Sequence, residues 1–502
     1  MKSKLISVNN LKVSSEHKKL VKGISFDLNR NEILGIIGES GSGKSLTALS
    51  ILSLIKFKGL NQSGEIFYAD ELIDKNNQDN IIRNEISIIF QDPMSYLNPS
   101  MKCGEQILEA LKIKDKNQVL SLINKVKIDE PELTYNKYPH QLSGGQQQRI
   151  MIAIAIAKEP NLIIADEATS SLDSLIKKDI INLLMELKNE YKLSLIIVSH
   201  NLNLVSKISN YVLVMNDGLI VEEGSTNKVF KNPKEKYTKK LIDQNNKLKK
   251  TKRKKIVKAN KILNIKNLEL SIKGKHILQN ISFKIIEGET IGIIGQSGSG
   301  KTTISRCIIG FYKNYDGKIH YKGKEIKSIN RYNLSKEIQL IFQDPYSALN
   351  PNIKIIDQIK EPMKVHFKLN KDELNNKAYD YLNKVKLKED LYHKYPSELS
   401  GGERQRVVIA RALCLKPKLI ICDECVSALD KSIQFSILKL LDNLKKEMKL
   451  TYIFISHDLA LVKIMSDRII VLKDGQIVDE NVTNNLFKNP KKYTKKLIDA
   501  II

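Results

Sequence analysis

GESGSGKS (residues 38–45) follows the apolar run EILGII, and GQSGSGKT (residues 295–302) follows ETIGII. Each is a glycine-rich loop delivered by a short apolar strand and closed by Lys-Ser or Lys-Thr, a pattern that wraps phosphates in backbone N–H groups. Gly38, Gly41 and Gly43, like Gly295, Gly298 and Gly300, let the chain curl with no side chain between amide and phosphate oxygen. Ser40 and Ser297 lie within the same curl. Lys44 and Lys301 are expected to contact the β- and γ-phosphates of a nucleotide, and the Ser45 and Thr302 hydroxyls to ligate Mg2+. The helix that follows adds its positive end. One such match can arise by accident, but two at the same depth of a repeat leave accident little room.

Working outward, both loops begin the same series. QDP at Gln91, LSGGQQQR, IIADE ending at Glu167, SSLD ending at Asp173 and SH ending at His200 return as QDP at Gln343, LSGGERQR, IICDE ending at Glu424, SALD ending at Asp430 and SH ending at His457. Lys44, Ser143, Glu167, Asp173 and His200 all recur 257 residues later, and Gln91 recurs 252 residues later. Two copies of one domain therefore lie in tandem, assigned to residues 1–246 and 259–502. Between them KLKKTKRKKIVK (residues 247–258) reads as a solvated basic linker. Each copy is long enough to bury its own core.

The elements follow from apolar spacing. Each copy opens with alternation, at Ile6, Val8, Leu11 and Val13 in the first and at Ile262, Leu263, Ile265, Leu268 and Leu270 in the second, which predicts half-buried strands. LIIADE, SLIIVSH, LIICDE and TYIFISH are short apolar runs separated by helical stretches, which predicts an α/β fold with a mostly parallel sheet core and ligand groups at the carboxyl ends of its strands. Asp217-Gly218 and Asp474-Gly475 read as late antiparallel hairpins. Residues 92–149 and 344–406 hold few strand-like runs, so a mostly helical subdomain is expected to be inserted there in each copy.

The remaining motifs carry the chemistry. Asp166 and Asp423 end apolar strands and are candidates to hold Mg2+, while the adjacent Glu167 and Glu424 are candidates to polarise the attacking water. Neighbouring carboxylates are costly to bury without such a partner. Gln91 and Gln343 offer neutral amides for the metal or water, and His200 and His457 are placed to hydrogen-bond a γ-phosphate. Ser143, Gly144, Gly145 and Gln146, with Ser400, Gly401 and Gly402, read as helix N-termini cleared for an anion. Each signature lies far in sequence from its own phosphate loop. Two domains facing head to tail would let each signature close over the nucleotide held by the other.

Composition bounds the partners. The 502 residues carry a formal charge of +26, but the lysines are dispersed, Trp is absent and no aromatic interleaving accompanies the basic linker. A nucleic-acid partner is therefore not expected, and attraction to an anionic membrane surface is the better use of the charge. Five cysteines are too few for a disulfide framework, and Cys422 and Cys425 read as buried filler. No stretch reaches the roughly 18 to 20 apolar residues that cross a bilayer. A soluble, intracellular protein is expected, whose membrane work belongs to separate partners.

On these motifs the chain resembles the ATP-binding cassette (ABC) ATPases, over nearly its whole length. The resemblance implies two tandem P-loop NTPase domains, each with a parallel core, an antiparallel β part and a helical subdomain. It also implies two composite sites. One combines Lys44, Ser45, Gln91, Asp166, Glu167 and His200 with Ser400, Gly401, Gly402 and Asp430. The other combines Lys301, Thr302, Gln343, Asp423, Glu424 and His457 with Ser143, Gly144, Gly145, Gln146 and Asp173. QDPMSYLNP and QDPYSALNP, YPHQLSGG and YPSELSGG, and the tails NPKEKYTKKLID and NPKKYTKKLID are similar to the oligopeptide, dipeptide and nickel importer branch. The fused, intact pair looks most like the ATPase subunit of microcin C-type peptide importers.

That resemblance implies two membrane-spanning permease subunits, an extracytoplasmic substrate-binding protein and a place on the cytoplasmic face of the inner membrane. Nickel or another small solute is the alternative cargo. A translation-associated tandem ATPase is the rival of another class, disfavoured by a linker of a dozen residues, and a nucleotide-excision repair ATPase would need zinc cysteine clusters. The chain departs from the family in three places. No Phe, Tyr or Trp precedes the loops between residues 1 and 25 or 262 and 282, leaving His17 and His276 as candidates to stack on adenine. Asn201 follows His200 where Asp458 follows His457. Ala168 and Cys425 stand where proline often follows the glutamate. No cysteine-rich extension follows the second copy, so no iron–sulfur cluster is expected.

Overall fold

Ile33–Ile37, Leu162–Asp166 and Ser194–Val198 are apolar at nearly every position because both faces of the sheet they share are covered. The computed structural model describes residues 3–169, 172–247, 260–427, 429 and 431–500. The chain divides into two compact units, residues 1–245 and 246–501. The linker assigned to 247–258 lies, beyond Lys247, outside the described residues, as does Asp430.

In the first unit six strands run in the order Leu219–Ser225, Tyr211–Asn216, Ile33–Ile37, Ser194–Val198, Leu162–Asp166 and Ile86–Ile89. All neighbours are parallel except the first pair, the hairpin turned at Asp217 and Gly218. Both turn residues have positive φ, 46° and 79°, as the favoured two-residue turn requires. The second unit repeats the order with Gln476–Val482, Arg468–Lys473, Thr290–Ile294, Thr451–Ile455, Leu419–Asp423 and Ile338–Ile341.

The period of two along these strands sorts their side chains between two cores. Leu34, Ile36, Ile164, Ile196 and Leu213 pack with Ala48 and Leu49 of the helix Lys44–Ile51 and with the antiparallel strands Lys4–Ser14 and Lys19–Asn29. Ile33, Ile163 and Ile197 face the other way, toward Ile107, Ile123 and Ile150 of the helical subdomain. A one-residue slip would exchange the two sets, so register is fixed by burial, at about 1.5–3 kcal/mol per buried Ile or Leu. The inserted subdomain is helical, as the spacing predicts: Pro93–Tyr96, Cys103–Ala110, Lys116–Lys125, Pro131–Tyr135 and Gly144–Ile156, with no strand among the described residues 90–161. Pro345–Ala348, Ile355–His366, Lys371–Lys384 and Gly401–Leu413 are its counterparts.

The strand Asn61–Tyr68 was not legible in the sequence, because its first half is polar and exposed. It pairs antiparallel with Lys4–Ser14 and extends a four-stranded sheet over the phosphate-loop helix. No helix among the described residues is long and apolar enough to cross a membrane.

Candidate nucleotide sites

The glycine loops leave the central strand of each unit with the backbone that the sequence demands. Gly38, Gly41 and Gly43 have φ of 155°, 77° and 100°. A Cβ on Gly38 would lie 2.2 Å from the Met215 carbonyl oxygen, whereas one on Gly41 would meet nothing within 4 Å. The first glycine is thus needed for close packing and the second turns to open space, where an amide can face a phosphate. Gly295 and Gly298 repeat this, with φ of 158° and 79° and a 2.4 Å approach to the Leu472 oxygen at the first only. Ser40 and Ser297 are exposed beside the open glycines.

Lys44 is buried and its ammonium donates to the carbonyl oxygens of Gly38 (3.0 Å) and Glu39 (2.7 Å). Lys301 does the same to Gly295 and Gln296, both at 2.8 Å. Each cation is curled into the concave side of its own loop. The Ser45 hydroxyl donates to Asp166 Oδ1 at 3.0 Å, and the Thr302 hydroxyl to Asp423 Oδ1 at 3.3 Å. Burial, and after it the adjacent Glu167 charge, raises Asp166 above the ordinary aspartate value against the Ser45 hydrogen bond and Lys44. Burial raises Asp423 likewise. Such carboxylates are short of positive charge. A hydroxyl beside a carboxylate is the hard-oxygen donor set that suits Mg2+, an ion that takes few protein ligands and keeps water and phosphate oxygens. No group of three or more His, Cys, Asp or Glu among the described residues is placed to hold a metal by itself.

One residue further on, Glu167 and Glu424 sit in the left-handed region, with φ of 48° and 50°. Both donate their backbone N–H to the neighbouring strand, Glu167 to Val198 O at 2.9 Å and Glu424 to Ile455 O at 3.0 Å. That reversal turns each glutamate off the strand line toward the histidine strand. His200 Nδ1 lies 3.1 Å from Glu167 Oε1, and His457 Nδ1 lies 3.1 Å from Glu424 Oε2. Burial works against the Glu167 charge, but the His200 hydrogen bond and nearby cations outweigh it and hold the carboxyl below its ordinary value. Positive φ at a bulky residue is uncommon and costs about 1–3 kcal/mol, and it recurs here at matched positions in both units. Gln91 and Gln343 are exposed and make no hydrogen bond with these groups among the described residues.

The signatures begin helices. The Ser143 hydroxyl accepts the Gln146 N–H at 3.3 Å while Gln146 Oε1 accepts the Ser143 N–H at 3.1 Å, a reciprocal cap. Ser400 and Glu403 make the same cap in the second unit. The two glycines of each signature differ in purpose. A Cβ on Gly144 would find only Leu172 Cδ2 at 3.8 Å, and on Gly401 only Leu429 Cδ2 at 3.6 Å. On Gly145 it would press Ile176 Cγ2 at 2.9 Å, and on Gly402 Ile433 Cγ2 at 2.7 Å. The first glycine keeps a helix end clear, and the second serves packing against the next helix. Asp173 occupies the N-cap position of the helix Ser174–Glu190.

For the adenine position, His17 is 94% exposed at the tip of the first hairpin. His276 is exposed and pairs with Ser271 at 2.9 Å. Leu20 and Ile277 also flank the loops, their carbonyl oxygens 3.3 Å from a Cβ built on Gly43 and 3.2 Å from one built on Gly300. Their equal offset in the two copies was the sequence signal for them. Cys422 and Cys425 are buried, as expected for filler.

Comparison with known proteins places the chain in a family. The family described as "ABC transporter" matches residues 21–170 and again 278–427. The region described as "Oligopeptide/dipeptide transporter, C-terminal region" matches residues 221–269. The uncharacterized ABC transporter ATP-binding protein YejF of Escherichia coli (strain K12) is 36% identical, covering 99% of both chains. The glutathione import ATP-binding protein GsiA of Escherichia coli O6:H1 is 35% identical, over 99% of this chain and 89% of that one. Among solved structures, cbiO1 of Clostridium perfringens, part of the ABC transporter complex cbiONQ, is 29% identical with a TM-score of 0.43, over 48% of this chain and 94% of that chain.

Proposed function

The chain belongs to the ABC transporter ATP-binding family, matched in both halves, and from that premise we propose that it is the MgATP-hydrolysing subunit of an importer for peptides. The observation that carries the reading is the doubled cluster: a hydroxyl on a carboxylate (Ser45–Asp166, Thr302–Asp423) beside a glutamate on a histidine (Glu167–His200, Glu424–His457), each next to a phosphate loop. Peptide as cargo is supported by the oligopeptide/dipeptide region and by the glutathione importer among its relatives.

In this reading the loop amides and Lys44 or Lys301 bind the phosphates. Ser45 with Asp166, and Thr302 with Asp423, would hold Mg2+, which when bound neutralises charge between the β- and γ-phosphates. Gln91 and Gln343 orient water at the same place. Glu167 and Glu424 accept the proton of the attacking water. His200 and His457 hold those carboxylates through Nδ1, so the opposite ring nitrogen is the one that meets the γ-phosphate. Ser400, Gly401, Gly402 and Asp430 complete the first site, and Ser143, Gly144, Gly145, Gln146 and Asp173 the second. ATP closes the pair and hydrolysis reopens it.

The stroke is exported to two membrane-spanning permeases fed by an extracytoplasmic binding protein, with the chain on the cytoplasmic face of the inner membrane. Exposed apolar side chains beside the glutamines, Met94 (47%) and Tyr96 (53%) after Gln91, then Phe342 (50%) before and Tyr346 (59%) after Gln343, support docking there. The test is the full chain with Glu167→Gln and Glu424→Gln together. ATP turnover is expected to fall about 100- to 10,000-fold with ATP still bound. Undiminished turnover would remove the assigned roles, and labelled-peptide uptake that persists in cells lacking the chain would remove the cargo.

A further inference from the structure

Each unit ends in a helix that carries a tyrosine and a threonine at its start, and in both units that tyrosine reaches the phosphate loop. In the first unit the Glu39 N–H, directly after Gly38, donates to the Tyr237 hydroxyl at 3.1 Å across 198 residues of chain. In the second the Tyr493 hydroxyl donates to Gln296 Oε1, directly after Gly295, at 3.3 Å. The bonds differ in atom and direction, yet they join the same two places.

The helices are held in that pose from below. Glu222 accepts the N–H groups of Lys234 (2.8 Å) and Glu235 (3.1 Å), just before the helix Lys236–Lys247. Asp479, 257 residues after Glu222, accepts the Lys491 N–H at 3.1 Å and the Thr494 hydroxyl at 2.6 Å, at the start of the helix Lys492–Asp499. Thr238 and Thr494 are fully buried. Tyr237 and Leu241, one turn apart, lie against a core that includes Ile37, the residue before Gly38. A carboxylate, a helix start and a phenol thus form one connection from the hairpin to the first corner of the phosphate loop.

We propose that Tyr237 and Tyr493 are positioning residues for nucleotide binding, which preset the first corner of each phosphate loop and make ATP affinity depend on the docking of the terminal helix. A loop of amides binds anions tightly only when its curl exists beforehand. Removing the phenol oxygen frees the corner residue and moves that ordering cost onto the binding step. By reciprocity, bound ATP strengthens helix docking. A partner that grips the exposed lysines of either tail would then tune nucleotide affinity from outside the site.

This inference rests on the nucleotide-site reading above, and the experiment separates the two. The full chain is titrated with a fluorescent ATP analogue as wild type, Tyr237→Phe/Tyr493→Phe and Lys44→Ala/Lys301→Ala. Wild-type binding that the lysine pair abolishes upholds the site. The phenylalanine pair is then expected to bind about 3- to 10-fold more weakly, the size of one net hydrogen bond, with KM for ATP rising more than kcat falls. Thr494→Val, which loosens the helix start without touching the loop, is expected to weaken the second site as Tyr493→Phe does and to add nothing to it. Hydrogen exchange of residues 492–499 is expected to slow when ATP is added to wild type and not to the phenylalanine pair. Wild-type affinity in the phenylalanine pair, or a drop in Tm without nucleotide that leaves affinity unchanged, overturns the inference. A wild type that binds no nucleotide overturns the site itself.

Discussion

In the second unit Lys431 Nζ lies 2.8 Å from Asp458 Oδ2, joining the start of the helix Lys431–Met448 to the residue after His457, whereas the same positions in the first unit are Ser174 and Asn201. The cap survives the exchange. Asn201 Oδ1 accepts from Asn203 N (3.1 Å) and Leu204 N (3.2 Å), and Asp458 Oδ1 from Ala460 N (2.9 Å) and Leu461 N (3.4 Å). A helix start needs a side-chain oxygen, which asparagine and aspartate supply about equally well. What the second unit adds is an ion pair whose members are only 31% and 26% exposed. Despite burial, Lys431 and then the neighbouring histidine and amides hold Asp458 well below its ordinary value. Both positions changed together, charge with countercharge, so the histidine loop carries a charged fastening in one unit and a neutral cap in the other. Asp423 shows the same trend, with an added hydroxyl from Ser305 at 3.4 Å where the first unit has Ala48.

The largest effect that can break this comparison comes from single glutamate variants. Each is expected to silence its own site by about 100-fold or more, so the residual ATP turnover reports the other site. Glu167→Gln should leave the larger residual rate, because the better-fastened second site remains, and equal residuals would make the two sites interchangeable. Next in size, Asp458→Asn leaves Lys431 facing an amide and should destabilise the chain by about 1–3 kcal/mol, read as a lower Tm. Adding Lys431→Ser, which copies the first unit, should restore most of the loss. A double variant no better than the single would show that the pair is not the source.

Acid sharpens the same point. The folded value of Asp458 is depressed, so its stabilisation is complete above the ordinary aspartate value of 3.8 and is lost as pH falls through the lower folded value. The Tm gap between wild type and Asp458→Asn should therefore stay constant from about pH 8 to about pH 5 and close only in stronger acid. The smallest effect belongs to the signatures. Glu403→Gln exchanges the second signature's caps for those of the first, and should change KM for ATP by about 2-fold, the scale of one charge at a helix end.

How much could be read beforehand depends on how local the cause is. The loops, the hairpins at 217–218 and 474–475, and the serine-capped signature helices were legible because a few consecutive residues set their own backbone. The parallel core was legible because two-sided burial makes its strands apolar throughout. Tyr237 was not, since its partner Glu39 is distant in sequence and a tyrosine in a basic tail has no period to betray it. The packing purpose of Gly145 was hidden too, because the obstacle is Ile176 on another helix. The substitution of Asn201 for Asp458 was visible, but not its meaning, which required Lys431.

The left-handed backbone at Glu167 and Glu424 limits what a mutational library can return there. β-Branched residues fit that region poorly, while glycine, asparagine and aspartate enter it with little penalty. Well-folded but silent clones should therefore be rich in those three at both positions, with valine and isoleucine appearing mainly among clones that express badly.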